Sequence, residues 1–155
     1  MSRARAAKTS ATVALACSAL LLGGCGSGSL SDTQLRGRAG KICETAQRSS
    51  ESIAAPTDPT KGQPFLRRGI VALAPQVAAL RRLKASSDLQ DEYAAALRAT
   101  DHELALLRST LRGLEAGNDP VVAIKTLQDQ LGPAEDAARR AWNELGVPAC
   151  TQVMG

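Results

Sequence analysis

The sequence predicts an all-α protein: a four-helix up-and-down bundle that follows a signal peptide and is tied by one disulfide. Three observations predict it. Four segments repeat apolar residues at alternating steps of three and four, the spacing that gathers one face of a helix. No segment alternates apolar and polar residues with period two, and no Asn-Gly or Asp-Gly turn joins β-rich runs. The connections between segments are mostly short, which favours antiparallel neighbours. A longer two-helix coiled coil is the alternative that the same rhythm allows.

The first helix is expected over about 31–54. Ser31-Asp32-Thr33-Gln34 reads as a capping box, with Leu30 and Leu35 as its hydrophobic staple. Leu35, Ala39, Ile42, Ala46, Ser49 and Ile53 then form one face. Gly37 and Gly40 weaken the opening turns and point to a firm start nearer Lys41. After the Pro-rich stretch 55–63, Pro64 suits the opening of a second helix, about 64–85, with Leu66, Ile70, Leu73, Val77 and Leu80 inward and Leu83 at its end. Pro75 inside it predicts a kink or a split. The third helix, about 88–116, has the most regular stripe: Tyr93, Leu97, Thr100, Leu104, Leu107, Leu111 and Leu114. Ser87-Asp88-Leu89-Gln90 reads as a second capping box, and Gly117 ends the helix. Asp119-Pro120 supplies the N-cap and first position of the fourth, about 120–145, with Ile124, Leu127, Leu131, Ala134, Ala138, Ala141 and Leu145 inward. Gly132-Pro133 predicts a bend midway. Gly146 is the expected left-handed stop, with Val147 packing back on Trp142 and Pro148 blocking continuation.

Ahead of the bundle, residues 1–24 divide like an export signal. Arg3, Arg5 and Lys8 precede an apolar run from Ala11 to Leu22, and Gly23-Gly24-Cys25 follows. Twelve apolar residues are too few for a permanent span, which needs roughly 20. Leu22-Gly23-Gly24-Cys25 looks like a lipobox, in which small residues fit the processing peptidase and the Cys25 thiol takes up lipid; an ordinary secretory cut near Ala16 or Ala19 is the alternative. Acyl chains such as palmitate would make the anchor durable, each buried methylene contributing ~0.8 kcal/mol. Residues 25–30 read as a flexible tether, 31–151 as the helical domain and 152–155 as a tail. The expected place is the extracytoplasmic face of the cell membrane.

Charge excludes one class of partner. The chain carries +4 in all, but every acidic residue lies beyond residue 24, against sixteen of the nineteen basic ones. The expected mature part is therefore close to neutral, and with one Phe, one Tyr and one Trp it has neither the basic footprint nor the stacking platforms of a nucleic-acid binder.

Cys17 falls in the signal and Cys25 at the lipobox, leaving Cys43 and Cys150. An even pair in an exported protein favours a disulfide. Free thiols and redox use are the alternatives, and redox use usually wants Cys-x-x-Cys or a basic neighbour. Cys43 lies about 18 Å along a helix that begins at Ser31. Either that helix begins late or the segment 147–150 turns back along it. Taken together, the lipobox, Lys41-Ile42-Cys43-Glu44 and Leu145-Gly146-Val147-Pro148-Ala149-Cys150 resemble the small helical lipoproteins of actinobacteria. That resemblance implies a disulfide-linked four-helix envelope protein and carries no catalytic residues with it.

Chemistry-bearing patterns are scarce. His102 is the sole histidine, and its neighbours Asp101 and Glu103 do not share its helix face, so no metal or other cofactor is expected. Gly-x-Ser-x-Gly and phosphate-loop motifs are absent, and no enzyme is expected. Between Lys61 and Lys84 there are six basic residues and no acidic one. Arg67 and Arg81, and likewise Arg68 and Arg82, are fourteen apart and return to nearly one helix face. They read either as complements to acidic residues on the third helix or as a basic face toward an envelope protein or an anionic surface. The leading expectation is a lipid-anchored, non-catalytic interaction module. Its rival is a small-ligand carrier with a pocket where the prolines bend the bundle, and an apolar cavity there would favour the carrier.

Overall fold

The structure, a computed structural model, describes residues 28–152, apart from the side chains of Pro59 and Gln152. The signal peptide, the lipobox with Cys25, the start of the tether and the last residues of the tail lie outside the described residues. Four helices account for most of the described chain: α1 (Asp32–Glu51), α2 (Gly62–Leu80), α3 (Gln90–Glu115) and α4 (Pro120–Glu144), with short 3-10 turns at Pro59–Lys61, Ser87–Leu89 and Pro148–Gln152. There is no strand among the described residues. No described helix is long and apolar enough to cross a membrane.

The starts and stops of the helices follow local chemistry. Ser31 caps α1 as expected: its Oγ accepts from Gln34 N, and its N–H donates to Gln34 Oε1 at 3.2 Å. The helix is firm from Asp32, so Gly37 and Gly40 do not delay it. Both glycines have open space where a Cβ would stand, and the fully buried Leu35 and Ala39 hold those turns in the core. Asp119 accepts from Val122 N at 2.9 Å ahead of Pro120. Two helices end in the same left-handed device. Gly117 (φ 90°) and Gly146 (φ 77°) each adopt a backbone that a side chain would strain. At the first, Gly117 N donates to Leu114 O and Asn118 N to Gly113 O; at the second, Gly146 N donates to Asn143 O and Val147 N to Trp142 O. Arg36 of α1 adds a further donor to α4's end, Nε to Leu145 O at 2.8 Å.

Four local expectations are corrected. α1 stops at Glu51, and Ile53 belongs to the following loop. α2 begins at Gly62, two residues before Pro64, and ends at Leu80, so Leu83 lies in the connection. Ser87-Asp88-Leu89-Gln90 is not a capping box: Ser87–Leu89 forms a 3-10 turn, Ser87 Oγ donates to Asp88 Oδ1, and α3 starts behind Leu89 without a side-chain cap. Of the kink or split expected at Pro75, the split does not occur, and α4 likewise runs through Pro133. Each proline sits inside one uninterrupted element. Both prolines are exposed, as are Val71 and Asp129 four residues earlier, so the carbonyls that lose a donor face water.

The helices run up, down, up, down. Leu30 N donates to Lys84 O and Ser86 Oγ to Asp32 Oδ1, which joins the start of α1 to the end of α2. Consecutive helices pack side by side, whereas α1 and α4 barely meet. The gap between them is filled at one end by the 148–152 turn, which lies against both helices. Cys150 bonds to Cys43 there, with the Cα atoms 4.9 Å apart. The tail does turn back along α1.

The apolar interior is correspondingly divided. The end beside the disulfide is densely buried: Leu35, Ala39, Cys43, Leu80, Tyr93, Ala96, Ala138, Trp142, Leu145, Val147 and Cys150 form one cluster. Trp142 is its hub, with Nε1 donating to Thr100 Oγ1 at 2.9 Å and its ring edge-on to Tyr93 at 6.0 Å. Tyr93 is fixed in turn by its hydroxyl donating to Leu80 O at 2.7 Å. The other end holds a smaller cluster, Ala46, Leu66, Leu73, Leu107, Leu114 and Leu127, flanked by side chains such as Phe65, Ile124 and Leu131 that are only partly covered.

Candidate functional site

Where the 148–152 turn stops, the gap between α1 and α4 opens into a cleft of about 980 Å³. Its floor is the second apolar cluster: Leu66 and Leu73 from α2, Leu107 from α3 and Leu127 from α4. Phe65, Ile124 and Leu131 line the sides, and Ile53, Ala55, Pro56 and Thr57 of the loop after α1 stand at its upper end. Gln47, Ser50, Glu51 and Gln128 form a polar rim. Small-molecule sites span about 300–1,000 Å³ and are mostly apolar, with few polar groups converging on them. This cleft has both properties.

Its polar groups converge at the inner end. A second, smaller cavity of about 40 Å³ shares Leu73, Arg139 and Thr151 with the cleft and reaches down toward the disulfide. Gln76, Thr100, Glu103 and Glu135 also face it. Glu103 is 3% exposed. Burial, reinforced by the neighbouring Glu135 carboxylate, pushes its carboxyl up to about 8, so at neutral pH it is largely protonated. Glu135, half-buried on α4, is also raised, first by burial; Arg139 pulls it back and Asp136 pushes it up. Arg139 is itself half-exposed and ion-paired to Asp136 at 3.1 Å. A buried, neutralised acid beside an apolar cleft is the combination of features that a binding site uses.

None of the basic residues singled out in the sequence reaches this cleft. Arg67 pairs with Glu115 at 2.7 Å and Arg81 with Asp101 at 2.6 Å, both across the α2–α3 seam. Exposed pairs of this kind contribute about 0–1 kcal/mol. Arg68 and Arg82 are exposed, and Arg82 Nε donates to Ala78 O. The stripe therefore divides, Arg67 and Arg81 answering α3 and Arg68 and Arg82 facing outward. Cys43 and Cys150 lie in the wall of the inner cavity, and Cys25 is outside the described residues. His102 is exposed.

Sequence reasoning missed Glu103. The stripe drawn through Leu97, Leu104 and Leu111 follows the large apolar residues, yet Ala96, Thr100, Glu103 and Leu107 hold the same four-three rhythm one position away, and all four are buried. That second register was the available signal. A charged residue on it reads as solvated until the neighbouring helices are known.

No family model, no curated protein and no solved structure matches this chain.

Proposed function

We propose that this chain is a lipid-anchored envelope protein that carries a small apolar molecule in the cleft between α1 and α4. The observation that carries the reading is the cleft itself: about 980 Å³ lined by leucine, isoleucine and phenylalanine side chains, with polar groups confined to its rim and inner end. Anchoring rests on the export signal and on Leu22-Gly23-Gly24-Cys25, and on the resemblance to small actinobacterial lipoproteins that these residues share in. The described N-terminus joins the bundle at its disulfide end, where Leu30 meets Lys84. A short tether would therefore hold that end toward the membrane and leave the cleft toward the other side.

Gly69 provides the test. It lines the cleft, and a Cβ built there meets nothing within 4 Å. Gly69→Trp should fill the cleft without straining the fold, and replacing glycine within a helix offsets part of any cost. Nile red titrated into the full chain is expected to show saturable fluorescence enhancement, at least tenfold weaker in Gly69→Trp. Equal enhancement in the two proteins would place the dye elsewhere and remove the support for a carrier. The anchor has its own test: Cys25→Ala should leave the protein uncleaved or released from membranes, and a variant processed and held like wild type would overturn it.

A second reading, an interaction module, is favoured by one observation. Arg68 on α2 and Arg82 just past its end are exposed, with no acidic partner among the described residues, near the exposed Val71 of the same helix. Such a face would suit an envelope protein or an anionic surface, and carrying a ligand does not exclude it.

A further inference from the structure

Building on the cleft as a ligand site, we propose that its ligand is an amine: the apolar body lies in the cleft, and one ammonium group enters the inner cavity between Glu103 and Glu135. The argument begins with what Glu103 lacks. Its side chain is 3% exposed and lines the cavity, and its carboxyl opens onto that space without a hydrogen bond to a described residue. A donor entering the cavity would find that acceptor ready.

No charged donor in the walls is free to serve it. From α3, the Thr100 hydroxyl is already committed, donating to Ala96 O at 3.1 Å and accepting from Trp142 Nε1. From α4 come Glu135, a second acid, and Arg139, whose guanidinium is shared with Asp136 at the solvent edge. From α2 the cavity sees Gln76, from α1 and the C-terminal turn the disulfide and Thr151, none of them charged. Two acids, Glu103 and Glu135, thus face the cavity, with Arg139 at its edge shared with Asp136. A carboxylate or phosphate head would bring a further negative charge beside them, and an alcohol offers Glu103 only a neutral partner. An ammonium offers charge-assisted donors to both acids. The cavity, about 40 Å³, accommodates such a group; a single water needs roughly 10–15 Å³ on the same measure.

The proton balance is simple. The amine enters as R–NH3⁺, the Glu103 O–H bond breaks, its proton leaves to solvent, and the ammonium N–H groups donate to the carboxylate that remains. No other bond changes. Binding below the titration of Glu103 therefore releases up to one proton per amine, and affinity rises with pH until that carboxyl is ionised without ligand.

The experiment is calorimetry on the full, disulfide-bonded chain at pH 7, in two buffers of different ionisation heat, with octylamine, 1-octanol and octanoate as probes. Octylamine is expected to bind at least about tenfold tighter than octanol, the size of one charge-assisted hydrogen bond, with a buffer-dependent heat that reports proton release. Glu103→Gln should bring octylamine down to the level of octanol, a loss of at least about tenfold, with a much smaller change for octanol. Glu135→Gln gives an independent variant, expected to weaken octylamine by several-fold and more than it weakens octanol. Octanol or octanoate binding as tightly as octylamine would overturn the amine assignment and leave the cleft as a ligand site. Failure of all three probes to bind would overturn both.

Discussion

Replacing Cys43 and Cys150 together by serine is expected to lower the unfolding free energy by roughly 3–5 kcal/mol. The bond closes a loop of 107 residues, and on the chain-entropy argument a loop of that length is worth about 4.7 kcal/mol, an upper figure. The position of the bond adds to its length. Cys150 sits in the turn that fills the α1–α4 gap, directly after Val147, which is 2% exposed in the same cluster as Trp142. Without the bond, that turn is held only by the carbonyl and apolar contacts beyond Gly146, and its loosening exposes the side of the bundle where α1 and α4 do not pack on each other. Urea unfolding of wild type, reduced wild type and the double-serine variant measures this by linear extrapolation. Reduced wild type should match the variant. A loss below 1 kcal/mol in both would mean that the helices close the gap unaided.

Acidification from pH 8 to about pH 5 is expected to stabilise the protein, the reverse of the usual behaviour of paired carboxylates. The cause is Glu103, whose carboxyl is raised by burial and by Glu135 from 4.5 to about 8 in the folded chain. The folded state thus holds a proton that the unfolded state gives up. Its contribution is fully present below about pH 4.5 and is lost as pH rises through about 8. Integrated over that window the effect is on the order of 4 kcal/mol. Glu135, raised in the same direction, adds to it with the same sign. Thermal melts from pH 5 to 8 should show a falling midpoint in wild type and a much flatter profile in Glu103→Gln, the variant being the more stable of the two at pH 8. A wild-type midpoint that rises across the window would mean that Glu103 is ionised and solvated in the folded protein.

What could be read from the sequence is what neighbouring residues decide among themselves. Ser31 with Gln34, Asp119 with Pro120, and Gly117 and Gly146 as left-handed stops all act within a few positions, and the structure places each where its local chemistry puts it. The pairing of Cys43 with Cys150 was also legible, because they are the two cysteines left once Cys17 and Cys25 are assigned to the signal and the anchor; of the two routes left open, a late helix start and a returning tail, the structure takes the second. Ser87–Gln90 has the letters of a capping box and fails because the chain there tightens into a 3-10 turn before α3 begins. Proline shows the same limit. Pro75 and Pro133 lie on exposed faces where water can satisfy the freed carbonyls of Val71 and Asp129, and exposure is a tertiary property. The cleft lies further out of reach. It exists because α1 and α4 do not pack along their upper halves, and no residue on either helix announces a neighbour that stays away. Glu103 is hidden for a related reason: its depth depends on α4 bringing Glu135 and Ala138 to the same cavity.

The most direct test of the cleft as the working part of this molecule is leucine-methyl NMR of the full chain during titration with 1-octanol. Leu66, Leu73, Leu107 and Leu127, which line the cleft, should shift in a saturable manner. Leu35 and Leu145, fully buried beside the disulfide, should hold still. Saturable shifts confined to the cleft are the predicted result. Uniform small shifts across both groups, or none at all, would contradict it and return α2's outward face to first consideration.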